Sequence, residues 1–308
     1  MLIRLPYGTK IDFIGKRLIA FAITAAIILV SIGSLATRGL NLGVDFAGGI
    51  LIEVKTPGAA DLATMRSTLS GLGLGEVALQ TFGAPDEVLV RVQRQEGGER
   101  EQLAALNVVK NALGTEYEYR RTEFVGPKVG AQLLEDAVWA VGLAMLAIAA
   151  YIWFRFEWPF AIGALVSTLH DVLATFGIFS LLGMEFNLTT VAAILTIAGY
   201  SINDTVVEYD RVRENLRKYK AMPLLDLLNL SVNETLPRTI LTGGTTLAAV
   251  AALYFFGGEV LAGFSFAMIF GVIIGTYSSV YVAMPILFYF NLRALEGKPE
   301  SGEKQTQG

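Results

Sequence analysis

The sequence predicts an α-helical membrane bundle of six spans that carries one α+β domain outside the bilayer. Three observations predict it. Hydrophobic residues make up 53% of the 308 and the mean hydropathy is +0.53, beyond the make-up of ordinary soluble domains. Six apolar segments are long enough for the hydrocarbon core, which takes about 20 residues as helix. A polar stretch of domain size, residues 37–128, separates the first of them from the second.

The first span is residues 18–36, following a short N-terminal segment within 1–36. Basic residues precede it and Ser34-Leu35-Ala36 ends it, as in a cleavable signal peptide. Its apolar run is longer than a signal h-region, so it reads as a retained anchor. Within 37–128, a strand at 50–56 is followed by a helix at 59–72 with Leu62, Met65 and Leu69 at helical spacing. Strands at 76–82 and 87–94 flank the turn Gly83-Ala84-Pro85-Asp86, and a helix at 99–113 and a strand at 116–125 complete the segment. The order β-α-β-β-α-β is the split βαβ arrangement of ferredoxin-like domains.

The remaining spans, within 129–291, are 133–154, 160–182, 188–207, 239–256 and 260–290. Residues 208–237 read as a loop, and 292–308 as a disordered tail. Lys10, Lys16 and Arg17 precede the first span; Arg155 lies between the second and third; Arg211, Arg213, Arg217, Lys218 and Lys220 follow the fourth; Arg293 and Lys298 follow the sixth. The connections 183–187 and 257–259 contain no Lys or Arg. The positive-inside rule then places both termini and the 208–237 loop in the cytoplasm and the 37–128 domain outside it.

Ionisable residues in spans are costly and default to functional hypotheses. The third span holds His170 and Asp171, the fourth Asp204, and the fifth opens with Arg238. Asp204 reads first as a coupling group, because protonating it would weaken a pairing with Arg238 and shift helix packing; a static salt bridge is the plainer alternative. Asn203 adds a hydrogen-bonding neighbour. Glu208, four residues on along the same helical face, reads as a solvated charge at the water boundary. His170 and Asp171 point in different directions around their helix, and a packing role suits His170 as well as a relay does. Pro237 is placed to begin the fifth span, since proline suits a helix's first turn. Gly263, Ala267, Gly271, Gly275, Ser279 and Ala283 recur every four residues and form a close-packing face. Gly243-Gly244-Thr245-Thr246 reads as close packing near Arg238.

Several chemistries are excluded. With no Cys and one His, neither a thiolate nor a multi-histidine metal site exists, and no cofactor is implied. No G-x-x-x-x-G-K occurs, so a P-loop ATPase is not encoded. Gly199-Tyr200-Ser201-Ile202 lacks the second glycine of an intramembrane serine protease, and no Gly-x-Gly-Asp accompanies Tyr209-Asp210. The remaining energy source is the electrochemical gradient.

Gly43-Val44-Asp45-Phe46-Ala47-Gly48-Gly49, Gly199-Tyr200-Ser201-Ile202-Asn203-Asp204-Thr205, Asp210-Arg211-Val212-Arg213-Glu214-Asn215, Thr235-Leu236-Pro237-Arg238-Thr239 and Phe256-Gly257-Gly258 occur in order. In these the chain resembles the SecD/SecF family of protein-export membrane proteins, of the resistance-nodulation-division superfamily. The resemblance implies a half-transporter in the bacterial inner membrane. Its pseudosymmetric mate would be a separate SecD polypeptide, since no second copy is evident within this chain. It further implies the SecYEG translocon, YajC and YidC as partners and unfolded polypeptide as cargo. Proton-driven assistance to export would run through Asp204 and Arg238. Asp45-Phe46-Ala47-Gly48-Gly49 is the family signature, read either as a hinge or as a turn into the strand at Ile50. A non-energised scaffold and a small-molecule exporter half are the alternatives.

Overall fold

The computed structural model describes residues 8–75, 77–82, 84–95 and 98–293. Most of the expected tail (294–308) and positions 76 and 83 lie outside the described residues. The helices are α1 (Arg17–Arg38), α2 (Val44–Ala47), α3 (Leu62–Ser70), α4 (Glu99–Leu113), α5 (Pro127–Arg155), α6 (Trp158–Leu182), α7 (Leu188–Lys218), α8 (Leu224–Phe256), α9 (Glu259–Ser278) and α10 (Met284–Leu287), with a π-helical segment at Ser279–Ala283. The strands are β1 (Asn41–Leu42), β2 (Gly49–Lys55), β3 (Val77–Phe82), β4 (Ala84–Val92), β5 (Glu118–Val125) and β6 (Glu185–Phe186). Among the described residues, six helices are long and apolar enough to cross a membrane: α1, α5 to α8, and Leu261–Leu287. The chain is a multi-pass membrane protein.

Three expected boundaries are corrected. The fifth span is part of a helix that begins at Leu224, and Pro237 lies inside it rather than at its start. Leu227, Leu228, Ser231, Val232 and Thr235 are buried at three- and four-residue spacing, an amphipathic pattern that forms helix while being too polar to register as a span. With α7 running to Lys218, residues 208–237 are mostly helix and the connection is only 219–223. The sixth span changes from α to π geometry at Ser279 and ends at Leu287.

The polar domain has the expected element order. Its four strands form an antiparallel sheet in the order β3-β4-β2-β5. Ile50, Ile52, Val54, Val88, Val90 and Val92 alternate along β2 and β4, and all turn to one face, where Met65 and Leu69 of α3 and Ala105 and Val109 of α4 cover them. Period-2 alternation facing period-3.6 stripes is what makes this two-layer core. Asp61 caps α3 by accepting from Ala63 N (3.0 Å) and Thr64 N (3.1 Å). The expected turn is tighter than read, because β4 begins at Ala84.

The four-residue stripe of small side chains is where α9 meets α7. A Cβ on Gly271 would lie 2.3 Å from Ile197 Cγ1, and one on Gly275 3.2 Å from Ser201 Cβ. Gly271→Ala should therefore cost about 1–3 kcal/mol through overpacking. Thermal unfolding in detergent checks this, and adding Ile197→Ala should give a double variant less destabilised than the sum of the singles. In the other glycine cluster only Gly243 meets neighbours, Thr276 Oγ1 at 3.7 Å and Tyr200 Oη at 3.8 Å; Gly244 faces open space.

The segment before α1 is tied to α8 by two asparagines. Asn229 Oδ1 accepts from Phe13 N (2.8 Å) and Ile14 N (2.9 Å), and its Nδ2 donates to Asp12 Oδ1 (2.8 Å). Asn233 Oδ1 accepts from Ile11 N (2.9 Å) and its Nδ2 donates to Ile11 O (2.8 Å). The Gly15 amide and Asn229 hold the Asp12 carboxyl below its ordinary range. With a lowered folded-state pKa, this tie is intact above the unfolded value, near 4, and weakens as pH falls below it. Asn229→Ala should raise amide exchange of residues 11–15 at neutral pH, and acidification below about pH 4 should do the same in the parent chain.

Candidate functional site

Close approach of α7 and α9 lets short hydroxyl side chains reach across the bundle. Asp171 on α6 is fully buried. Its Oδ2 accepts from Ser201 Oγ of α7 (2.5 Å) and Ser278 Oγ of α9 (2.7 Å), and its Oδ1 lies 3.0 Å from His170 Nδ1. Ser167 Oγ donates to Ser278 Oγ (2.9 Å), extending the chain of donors, which polarise one another. Thr205 and Ser279 hydroxyls meet at 2.9 Å one turn away. The π segment starts at Ser279, and π-bulges recur at functional sites.

The expected divergence of His170 and Asp171 is therefore overturned: the two side chains bend toward each other and bond. His170 Nε2 is buried without a partner. Asp204, on the same side of α7 as Ser201, is 3% exposed, and its Oδ2 has no partner. No ion pair within 4 Å joins Asp204 to Arg238 among the described residues; Arg238 acts on Asp204 only at longer range and is exposed on this chain's outer face. Arg238 lies in the same turn of α8 as buried Thr235, Pro237 and Thr239 but points away from them to the exposed side. Asn203 is likewise exposed, away from the buried face that holds Asp204. Glu208 is not the solvated charge expected: it is 1% exposed and neither carboxylate oxygen has a partner.

Ser167, Ser201, Thr205 and Ser278 were missed as site residues. The available signal was a run of hydroxyls on the small-residue stripe, where Ser279 already stood out, and beside Gly199. Their role depends on which helices become neighbours.

The glycine motif lies against the membrane part. Asp45 Oδ2 accepts from Leu188 N (2.9 Å), the first residue of α7, and Phe46 stacks on Phe186 with ring centroids 5.9 Å apart. β1 pairs in parallel with β6, Gly43 N donates to Phe186 O (2.8 Å), and Arg91 of β4 forms an ion pair with Glu185. Gly48 (φ 73°) and Gly49 (φ 131°) turn the chain from α2 into β2, and a Cβ on Gly49 would lie 2.7 Å from Val92 O. Glycine is required there. Residues 33–56 match the model described as the SecD/SecF GG motif, and residues 105–293 match protein export membrane protein SecD/SecF, C-terminal.

The chain belongs to the SecD/SecF family. Relatives named protein translocase subunit SecF include one from Rickettsia rickettsii, 44% identical over 96% of both chains. Another, from Cereibacter sphaeroides, is 45% identical over 97% of this chain and 94% of its own length. The fold is similar to that of SecDF from Thermus thermophilus, a translocon-associated membrane protein, at 33% identity and a TM-score of 0.82. It is also similar to SecDF in a super-membrane-facing form, with a TM-score of 0.70. The match covers 96% of this chain and 40% of the SecDF chain.

Proposed function

We propose that this SecD/SecF-family chain is the smaller half of a proton-driven accessory complex that assists Sec-dependent protein export across the bacterial inner membrane. The observation that carries the reading is a pair of enclosed carboxylates, Asp171 and Asp204, inside membrane-spanning helices. Such groups mark ion and proton paths, and one charge moving through the field is worth about 2.3 kcal/mol per 100 mV. The sequence supplies no alternative fuel, lacking a P-loop.

SecD provides the matching six-span half. Arg238 supports this, because an exposed guanidinium in a spanning helix costs roughly 2.5–3.5 kcal/mol against lipid and is better accommodated under a second subunit. Asn203 shares that setting, so the proposed proton pathway comprises Asp204, Arg238, Asn203, Asp171 and His170. The polar domain is read as ferredoxin-like and extracytoplasmic, contacting the emerging polypeptide. Both termini are cytoplasmic, and SecYEG, YajC and YidC are the further partners. The Gly43–Gly49 motif, with Asp45 and Phe46 docked on α7 and β6, couples the domain to the helices.

Arg238→Met tests the energised reading against a scaffold. The variant should still associate with SecD in detergent and should lose the gradient-stimulated part of export in inverted membrane vesicles. Full retention of that stimulation would favour the scaffold.

A further inference from the structure

Glu208 stands one turn beyond Asp204 on α7, toward the end at Lys218. It is 1% exposed and neither of its oxygens meets a donor. The enclosure is made by this chain's own helices, so a second subunit has no access through which to supply the missing partner. Two residues further on the enclosure ends: Asp210 pairs with Arg155 at 3.0 Å, with both side chains partly exposed. Glu208 is thus the last sealed acid before water on the helix that carries Asp204.

Burying a carboxylate without donors is costly unless its charge is neutralised. Among the described residues no cation pairs with Glu208, whereas a proton neutralises it without any change in packing. Side chains four residues apart on a helix have Cβ atoms about 5–6 Å from each other, a gap that one bridging water spans. We propose that Glu208 is a second proton-carrying side chain, on the route between Asp204 and the Lys218 end of α7. The carboxylic acid of Glu208 first releases its proton to water, and the carboxylate left behind takes the proton of the Asp204 carboxylic acid; only O–H bonds are made and broken. This rests on the coupling reading above.

The test uses the full chain co-reconstituted with its SecD partner in liposomes containing a trapped pH dye, under an imposed pH gradient. Asp204→Asn should block proton flux. Glu208→Gln, which keeps size and removes the titrating group, should lose most of the flux with an unchanged melting temperature, and Glu208→Asp should retain part of it. Parent-level flux in Glu208→Gln, with Asp204→Asn blocked, overturns the role of Glu208 and leaves the coupling reading standing. Parent-level flux in Asp204→Asn overturns both. If Glu208→Gln fails to assemble, infrared difference spectra across a pH step decide: a carboxylic C=O band that moves in Glu208→Asp is expected, and its absence overturns the proposal.

Discussion

Asp204→Asn should leave the helices packed and abolish the gradient-driven part of export. The substitution is isosteric, and the Oδ2 atom it alters has no hydrogen bond to lose. Replacing an unpaired buried charge by a neutral amide relieves its desolvation cost, so the melting temperature in complex with SecD should stay level or rise. What disappears is the capacity to bind and release a proton. Export of a preprotein into inverted vesicles, with and without the gradient, measures this. An Asp204→Asn complex that responds to the gradient like the parent would remove Asp204 from the mechanism.

Asp171→Ala should have the opposite profile, a large loss of stability. The side chain joins α6, α7 and α9 through Ser201, Ser278 and His170. Its removal leaves Ser201 without an acceptor, takes the partner from His170 Nδ1 and leaves Ser278 with Gly275 O alone, a cost of roughly 3–5 kcal/mol. Ser278→Ala removes one of those donors together with the acceptor of Ser167, and should cost about 1–2 kcal/mol. Asp171→Asn keeps an acceptor but presents an amide donor to groups that are themselves donors, and should fall between the two. Thermal unfolding of the three variants in one detergent supplies the comparison. A cost for Asp171→Ala no larger than that for Ser278→Ala would show that the seam is not held by the carboxylate.

The two experiments separate roles that share a residue type. Asp171 is hydrogen-bonded to three side chains and Asp204 Oδ2 has no partner, although both are buried carboxylates in spanning helices. A group held by several hydrogen bonds resists a change of charge, and one without partners has little to lose by it. Within the proposed pathway, Asp204 and Glu208 therefore exchange protons most readily, while Asp171 and His170 also hold the helices together.

The sequence by itself determined the number of spans, the element order of the polar domain and the place of the glycine motif. Each depends on residues close together in the chain: apolar runs of sufficient length, alternation of period 2 or 3.6, and glycines where φ is positive. It missed the helical extents of α7 and α8, because hydropathy detects the lipid-facing part of a helix and not its amphipathic continuation past the bilayer. Tertiary structure alone decided the partnerships. His170 and Asp171 bond although they are adjacent on one helix, Asp204 and Arg238 make no direct pair although their charges suit, and Glu208 is sealed where water was expected. The physical reason is that burial and pairing are set by which helix faces pack together, and that packing follows from small residues such as Gly271 and Gly275, distant in sequence from the acids whose surroundings they define.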